Sequence, residues 1–93
     1  MSILAIFRWQ GDPKELLSSY DTELEHEAPR HQDQRISHIC AGTDDGMVIV
    51  DVWKSEKAMR AMLDDPEFHR NMERAGATLP DTPEILPVHR SIP

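Results

Sequence analysis

An α+β fold with one four-stranded antiparallel sheet and its helices on a single side is expected from three features of this 93-residue sequence. Two β-rich runs, residues 35–43 and 47–53, are separated by Asp44-Asp45-Gly46, and an Asp-Gly pair between such runs marks a tight hairpin. A strand-like run ahead of the hairpin leads into a strongly capped helix. A second helical stretch after it leads into a short apolar run. The resulting order of strand, helix, strand, strand, helix, strand is the split βαβ arrangement, in which the strands lie 4-1-3-2 in space.

Residues 2–9, Ser-Ile-Leu-Ala-Ile-Phe-Arg-Trp, are apolar on both alternating faces, as suits a central strand. Gly11 breaks the run. Asp12 is placed as an N-cap, Pro13 at the first helical position and Glu15 to complete a capping box. Leu16, Leu17, Tyr20 and Leu24 then fall on one stripe, with Asp21, Glu23, Glu25 and Glu27 on the solvated remainder. The helix is expected to stop before Pro29, because the residue ahead of a proline avoids helical backbone, and a polar connection runs from Arg30 to Gln34.

With Asp45-Gly46 as a two-residue turn, Cys40 would lie opposite Asp51 and His38 opposite Trp53, sharing a face with Ile36 and Ile49. The other face, Ile39, Ala41, Val48, Val50 and Val52, is purely apolar and is expected to receive the helices. Ser55 caps a second helix with Ala58, Met59, Met62 and Leu63 in phase. Asp65-Pro66 restarts a third segment bearing Phe68, Met72 and Ala75, which Gly76 ends. After a proline-punctuated loop, Glu84 to Arg90 forms the last strand, and Pro87 assigns it to a sheet edge. The whole, residues 1–93, reads as one ferredoxin-like domain.

Composition limits what such a domain does. Ten Lys and Arg against 17 Asp and Glu leave a net charge of −7, which disfavours nucleic acid and anionic membrane surfaces as partners. The longest apolar stretch near the N-terminus, Ile3 to Phe7, is far too short to span a membrane. The single Cys40 excludes an intrachain disulfide framework and fits a reducing, cytoplasmic setting. A chain this short buries a small core. The uncovered sheet face, expected to carry Ile3, Ala5, Phe7 and Trp9 or their neighbours with Met47, Ile49 and Trp53, would therefore pair with a second copy as a homodimer.

The stretch Asp51-Val52-Trp53-Lys54-Ser55-Glu56-Lys57-Ala58, followed by Asp64-Asp65-Pro66-Glu67-Phe68, resembles the dimeric α/β-barrel superfamily in its antibiotic-biosynthesis-monooxygenase-like branch. There a strand ends in Trp, a Ser-led cap opens a helix, and an Asp-Pro-x-Phe turn precedes the last helical segment. The matching residues, 46–76, make up about a third of the chain. The resemblance implies two sheets joined into a barrel, with a pocket between sheet and helices in each subunit. It covers cofactor-independent oxygenases, haem-degrading enzymes, isomerases and cyclases. The haem-degrading relatives carry an axial His where this chain has Met72 and an Asn on the first strand where none occurs before Gln10, so haem is not expected. The quinone-forming oxygenases use Trp, Tyr and Asn; here Trp9, Trp53 and Tyr20 are available, and Asn71 is the only Asn.

An oxygenase without a cofactor must deprotonate a phenol so that the substrate anion reduces oxygen, which needs a base in an enclosing aromatic cavity. His38, with Asp51 to fix its tautomer, is the first candidate. His89 on the last strand is the second, since barrel formation would bring it towards His38 of the other subunit. Trp9, Tyr20 and Trp53 are candidate walls, and Met59, Met62, Phe68 and Met72 a soft apolar lining; Trp53, Phe68 and the methionines serve equally as core. His26, Glu27 and His31 are too loosely spaced for a metal site, and no cofactor is expected. Cys40 is a small buried hydrophobe rather than a nucleophile, because nothing supplies an oxyanion hole. Two functions follow: a cofactor-independent monooxygenase, or related isomerase or cyclase, acting on a small aromatic or polyketide-like compound, and a non-catalytic, ligand-binding or stress-related dimeric barrel.

Overall fold

The computed structural model describes residues 1–25, 29–80 and 82–93. Its elements are β1 (Ile3–Gln10), α1 (Pro13–Glu25), a 3-10 helix (Pro29–Gln34), β2 (Arg35–Gly42), β3 (Gly46–Trp53), α2 (Glu56–Leu63), α3 (Pro66–Arg74) and β4 (Glu84–Pro87). One antiparallel sheet runs in the order β2-β3-β1-β4, the ferredoxin-like topology the sequence predicts. The expected stop of α1 ahead of Pro29 falls on residues 26–28, outside the described residues. The polar connection that follows is wound into the 3-10 helix rather than left irregular.

Helix starts follow local chemistry. The Asp12 carboxylate accepts the Lys14 amide at 3.0 Å, Ser55 Oγ accepts that of Ala58 at 3.1 Å, and Asp65 Oδ1 that of Glu67 at 2.9 Å. Each satisfies a donor that the first helical turn leaves without a partner. Gly76, with φ of 71°, ends the last helical segment in the left-handed region, where a side chain would be strained.

The hairpin differs from the sequence expectation. Its turn residues are Asp44 and Asp45, with the Thr43 amide donating to the Gly46 carbonyl at 2.9 Å, and His38 lies opposite Asp51 and Cys40 opposite Ile49. Gly46 is not a turn residue with positive φ but the first residue of β3, paired with Gln10. A Cβ at Gly46 would stand 1.9 Å from the Trp9 carbonyl oxygen and 2.9 Å from the carbonyl carbon, so β1 approaches too closely for any side chain. Gly46→Ala is expected to cost about 1–3 kcal/mol or more, read as a lowered urea midpoint, because backbone rather than a mobile side chain must yield. An unchanged midpoint would refute that approach.

The register moves by two residues, which preserves side-chain parity, but the faces are exchanged relative to expectation. Helices cover the mixed face: Ile3, Ala5, Phe7, Met47, Ile49 and Trp53 pack with Met59 into the core, where Ala5, Trp53 and Met59 are fully buried. The valine-rich face is left open. It carries half-buried Leu4, Ile6, Val48, Val50 and Val52, with Ile39 60% and Leu86 44% exposed. The physical reason lies in His38 and Asp51, whose polar atoms need partners that only the helical layer and the neighbouring Trp53 provide.

Three smaller differences bear on the site. An irregularity between Arg35 and Ser37 leaves Ile36 54% exposed and sets the Arg35 guanidinium 5.9 Å above the Trp53 ring. Leu24 is 41% exposed, so the buried stripe of α1 ends at Tyr20. Finally, β4 stops at Pro87, one residue before Val88 donates to the Ser2 carbonyl at 3.0 Å, so His89 lies beyond the strand and exposed.

Candidate active site

A cavity of about 370 Å³ opens between the sheet, α1 and α3. This lies within the range of roughly 300–1,000 Å³ usual for small-molecule sites. Phe7, Trp9, Leu16, Met62, Phe68 and Met72 supply its apolar walls. The Trp9 indole N–H donates to the Thr78 carbonyl at 2.9 Å, tying the loop after α3 to the sheet at one side of the cavity.

The chemistry is concentrated where β2 and β3 run beneath α1. Direct pairing of His38 with Asp51 across the ladder brings Nδ1 to 2.6 Å from Asp51 Oδ1. The other carboxylate oxygen accepts the Trp53 indole N–H at 3.2 Å. Asp51 is 2% exposed, and as a carboxylate it only accepts, so His38 Nδ1 carries the hydrogen and Nε2 is left as the acceptor. The Tyr20 hydroxyl, one helical turn beyond Leu16 on α1, fills that acceptor at 2.6 Å, the two rings lying within 9° of parallel. A chain of hydrogen bonds therefore runs from the cavity surface to the core: Tyr20, His38, Asp51, Trp53. It can take a proton at the tyrosine oxygen and spread the resulting charge inward.

A second histidine–carboxylate pair stands on another wall. His31 of the 3-10 helix places Nε2 2.8 Å from Oδ2 of Asp65, the N-cap of α3. Arg35 and the buried Asn71 also line the cavity, with Glu15, Glu23 and Glu67 adding negative charge.

Of the residues singled out from sequence, Trp9, Tyr20, His38, Asp51, Phe68 and Met72 meet at this cavity. Trp53 and Met59 do not line it; both are fully buried core. His89 is remote from it, beyond the strand at the edge opposite β2. Both ring nitrogens of His38 are engaged inside its own chain. Burial, followed by the Asp21 charge, pushes the Cys40 thiol above its ordinary value, which favours the unreactive thiol. His26 and Glu27 lie outside the described residues, and among those described no three His, Cys, Asp or Glu side chains are grouped to hold a metal. No helix of the described residues is long and apolar enough to cross a membrane.

No family model matches the chain, and no curated protein sequence does. Solved structures do. A protein from Chloroflexus aurantiacus J-10-fl, named for antibiotic biosynthesis monooxygenases, superposes with a TM-score of 0.70 at 16% identity, covering 98% of this chain and 97% of its own. A Deinococcus radiodurans protein of the same naming gives 0.65 at 13% identity, over 100% and 97%. The chain has the antibiotic biosynthesis monooxygenase fold. SnoaB of Streptomyces nogalater, a cofactor-independent oxygenase, shares this monooxygenase fold with a TM-score of 0.61 at 21% identity, over 99% of this chain and 95% of its own.

The sequence left two features of this site unread. Asp65 is legible as a helix cap, but its second oxygen reaches His31, 34 positions away, and no local signal connects them. Tyr20 reads as a wall on the apolar stripe, whereas its hydroxyl belongs to the hydrogen-bond chain through His38. A buried tyrosine's need for a polar partner was the only available hint.

Proposed function

We propose that this chain is a cofactor-independent monooxygenase that converts a small phenolic aromatic compound into a quinone. The observation that carries the reading is the Tyr20–His38–Asp51 chain of hydrogen bonds in the wall of a cavity whose other walls include Phe7, Trp9, Leu16, Met62, Phe68 and Met72. Likeness in fold to SnoaB supports it.

Tyr20 passes its proton to His38 Nε2 as its oxygen takes the proton of the substrate phenol, and Asp51 offsets the imidazolium charge. The substrate anion transfers one electron to dioxygen, and the radical pair joins as a peroxide on a ring carbon. That carbon's hydrogen passes as a proton to the distal peroxide oxygen as the O–O bond breaks, leaving a carbonyl and hydroxide. The departing hydroxide collects a proton from the relay as water. Substrate loses four electrons and two hydrogens; dioxygen gains four electrons, one oxygen entering the quinone and the other leaving in water.

A passive carrier of apolar ligands, the alternative raised by the sequence, needs no carboxyl group held at 2% exposure to orient a histidine and, through it, a tyrosine in its wall. The protein acts as a homodimer through the open valine-rich face of the sheet. Naphthols and anthrones with oxygen-18-labelled dioxygen test the reading: one labelled atom per quinone and one dioxygen consumed per turnover are expected. Ligands that occupy the cavity yet draw no oxygen would overturn it.

A further inference from the structure

The second histidine of the cavity has no part in the relay above, yet its surroundings are as ordered. Asp65 is 8% exposed, with Oδ1 accepting the Glu67 amide at the start of α3 and Oδ2 facing His31 Nε2 at 2.8 Å. An N-capping carboxylate accepts only, so Nε2 of His31 carries the hydrogen and Nδ1 is free to accept or, when protonated, to donate. Among the described residues nothing fills Nδ1, and the His31 side chain is 24% exposed on the cavity wall. His38, by contrast, spends both nitrogens within the protein and reaches a ligand only through Tyr20. The cavity thus offers two separate proton-exchanging contacts on different walls: Tyr20 from α1 and His31 from the 3-10 helix. A monophenol has only one group to answer them.

We propose that His31, oriented by Asp65, is a second ligand contact that exchanges a hydrogen bond or proton with a hydroxyl or carbonyl oxygen of the same aromatic compound whose phenol meets Tyr20. The substrate class is then a fused aromatic carrying oxygen at two positions. A single-ring phenol would leave either His31 or the apolar walls unmatched. The proposal rests on the oxygenase reading for its substrate, but it is tested by binding alone.

Titration calorimetry of the wild-type protein with 1-naphthol and 2-naphthol, and with 1,5-, 2,6- and 2,7-dihydroxynaphthalene, is the experiment. At least one diol is expected to bind about tenfold or more tightly than either naphthol, as one added hydrogen bond to an ionisable group allows. In His31→Leu the affinity difference between diol and naphthol should disappear. His31→Gln, which keeps a donor towards Asp65 and so holds the 3-10 helix, should retain part of the preference. Equal affinity of diols and naphthols for the wild type would overturn the proposal. So would uniform weakening of all five ligands in both variants, which marks a structural role, or failure of every ligand to bind. Diol preference without oxygen uptake would sink the oxygenase reading and leave His31 standing; oxygen uptake without diol preference would do the reverse.

Discussion

Turnover of a His38→Ala variant is expected to fall by about two to four orders of magnitude, the usual worth of a positioned acid–base group, while the far-ultraviolet spectrum and oligomeric state stay unchanged. The imidazole links Tyr20 to the buried carboxylate: its two nitrogens stand 2.6 Å from the tyrosine hydroxyl and 2.6 Å from Asp51. Removing it takes the hydrogen-bond acceptor of the tyrosine hydroxyl and one donor to Asp51 away together. Tyr20→Phe should lose a similar factor, because the hydroxyl is the end of the relay that meets substrate. The double variant should lose no more than either single one, as groups acting as a unit are not additive. Retention of wild-type rates in His38→Ala would remove the relay from the reaction.

Val50→Arg is expected to convert a dimer of about twice 10.7 kDa into a monomer in size-exclusion chromatography with light scattering. Val50 sits in the middle of the open face, opposite Ile6 on β1 and Ile39 on β2, so a charge there would be desolvated by any sheet packed against it. The face is apolar along three strands, Leu4 and Ile6, Ile39, and Val48, Val50 and Val52, and such a patch on a small monomer marks an association surface. Arginine at Lys54, exposed and off the strand, is the control that should leave the mass unaltered. A wild-type chain that runs as a stable monomer at micromolar concentration would refute the pairing.

What the sequence made legible was what local chemistry decides. Asp12, Ser55 and Asp65 mark helix starts because a cap acts within three residues, and Pro87 marks an edge because it lacks a ladder donor. The choice of covered face escaped, since it depends on which side's polar groups find partners across the layer. Apolar purity pointed to the valine side, but Tyr20 answers His38 on the other. Gly46 misled in a related way: its meaning is the nearness of Trp9 on β1, which a turn signal cannot express. His38 and Asp51 still came together because a two-residue shift leaves parity intact.

Trp53 serves two purposes at once. Its ring is wholly enclosed by the hydrophobic interior, while its indole N–H pins the carboxylate on which the imidazole leans. Cohesion and reactivity therefore share one side chain. A change made at this position for the sake of the interior also alters the support of the histidine–carboxylate pair, so a chain that parts with the indole needs another donor to steady Asp51.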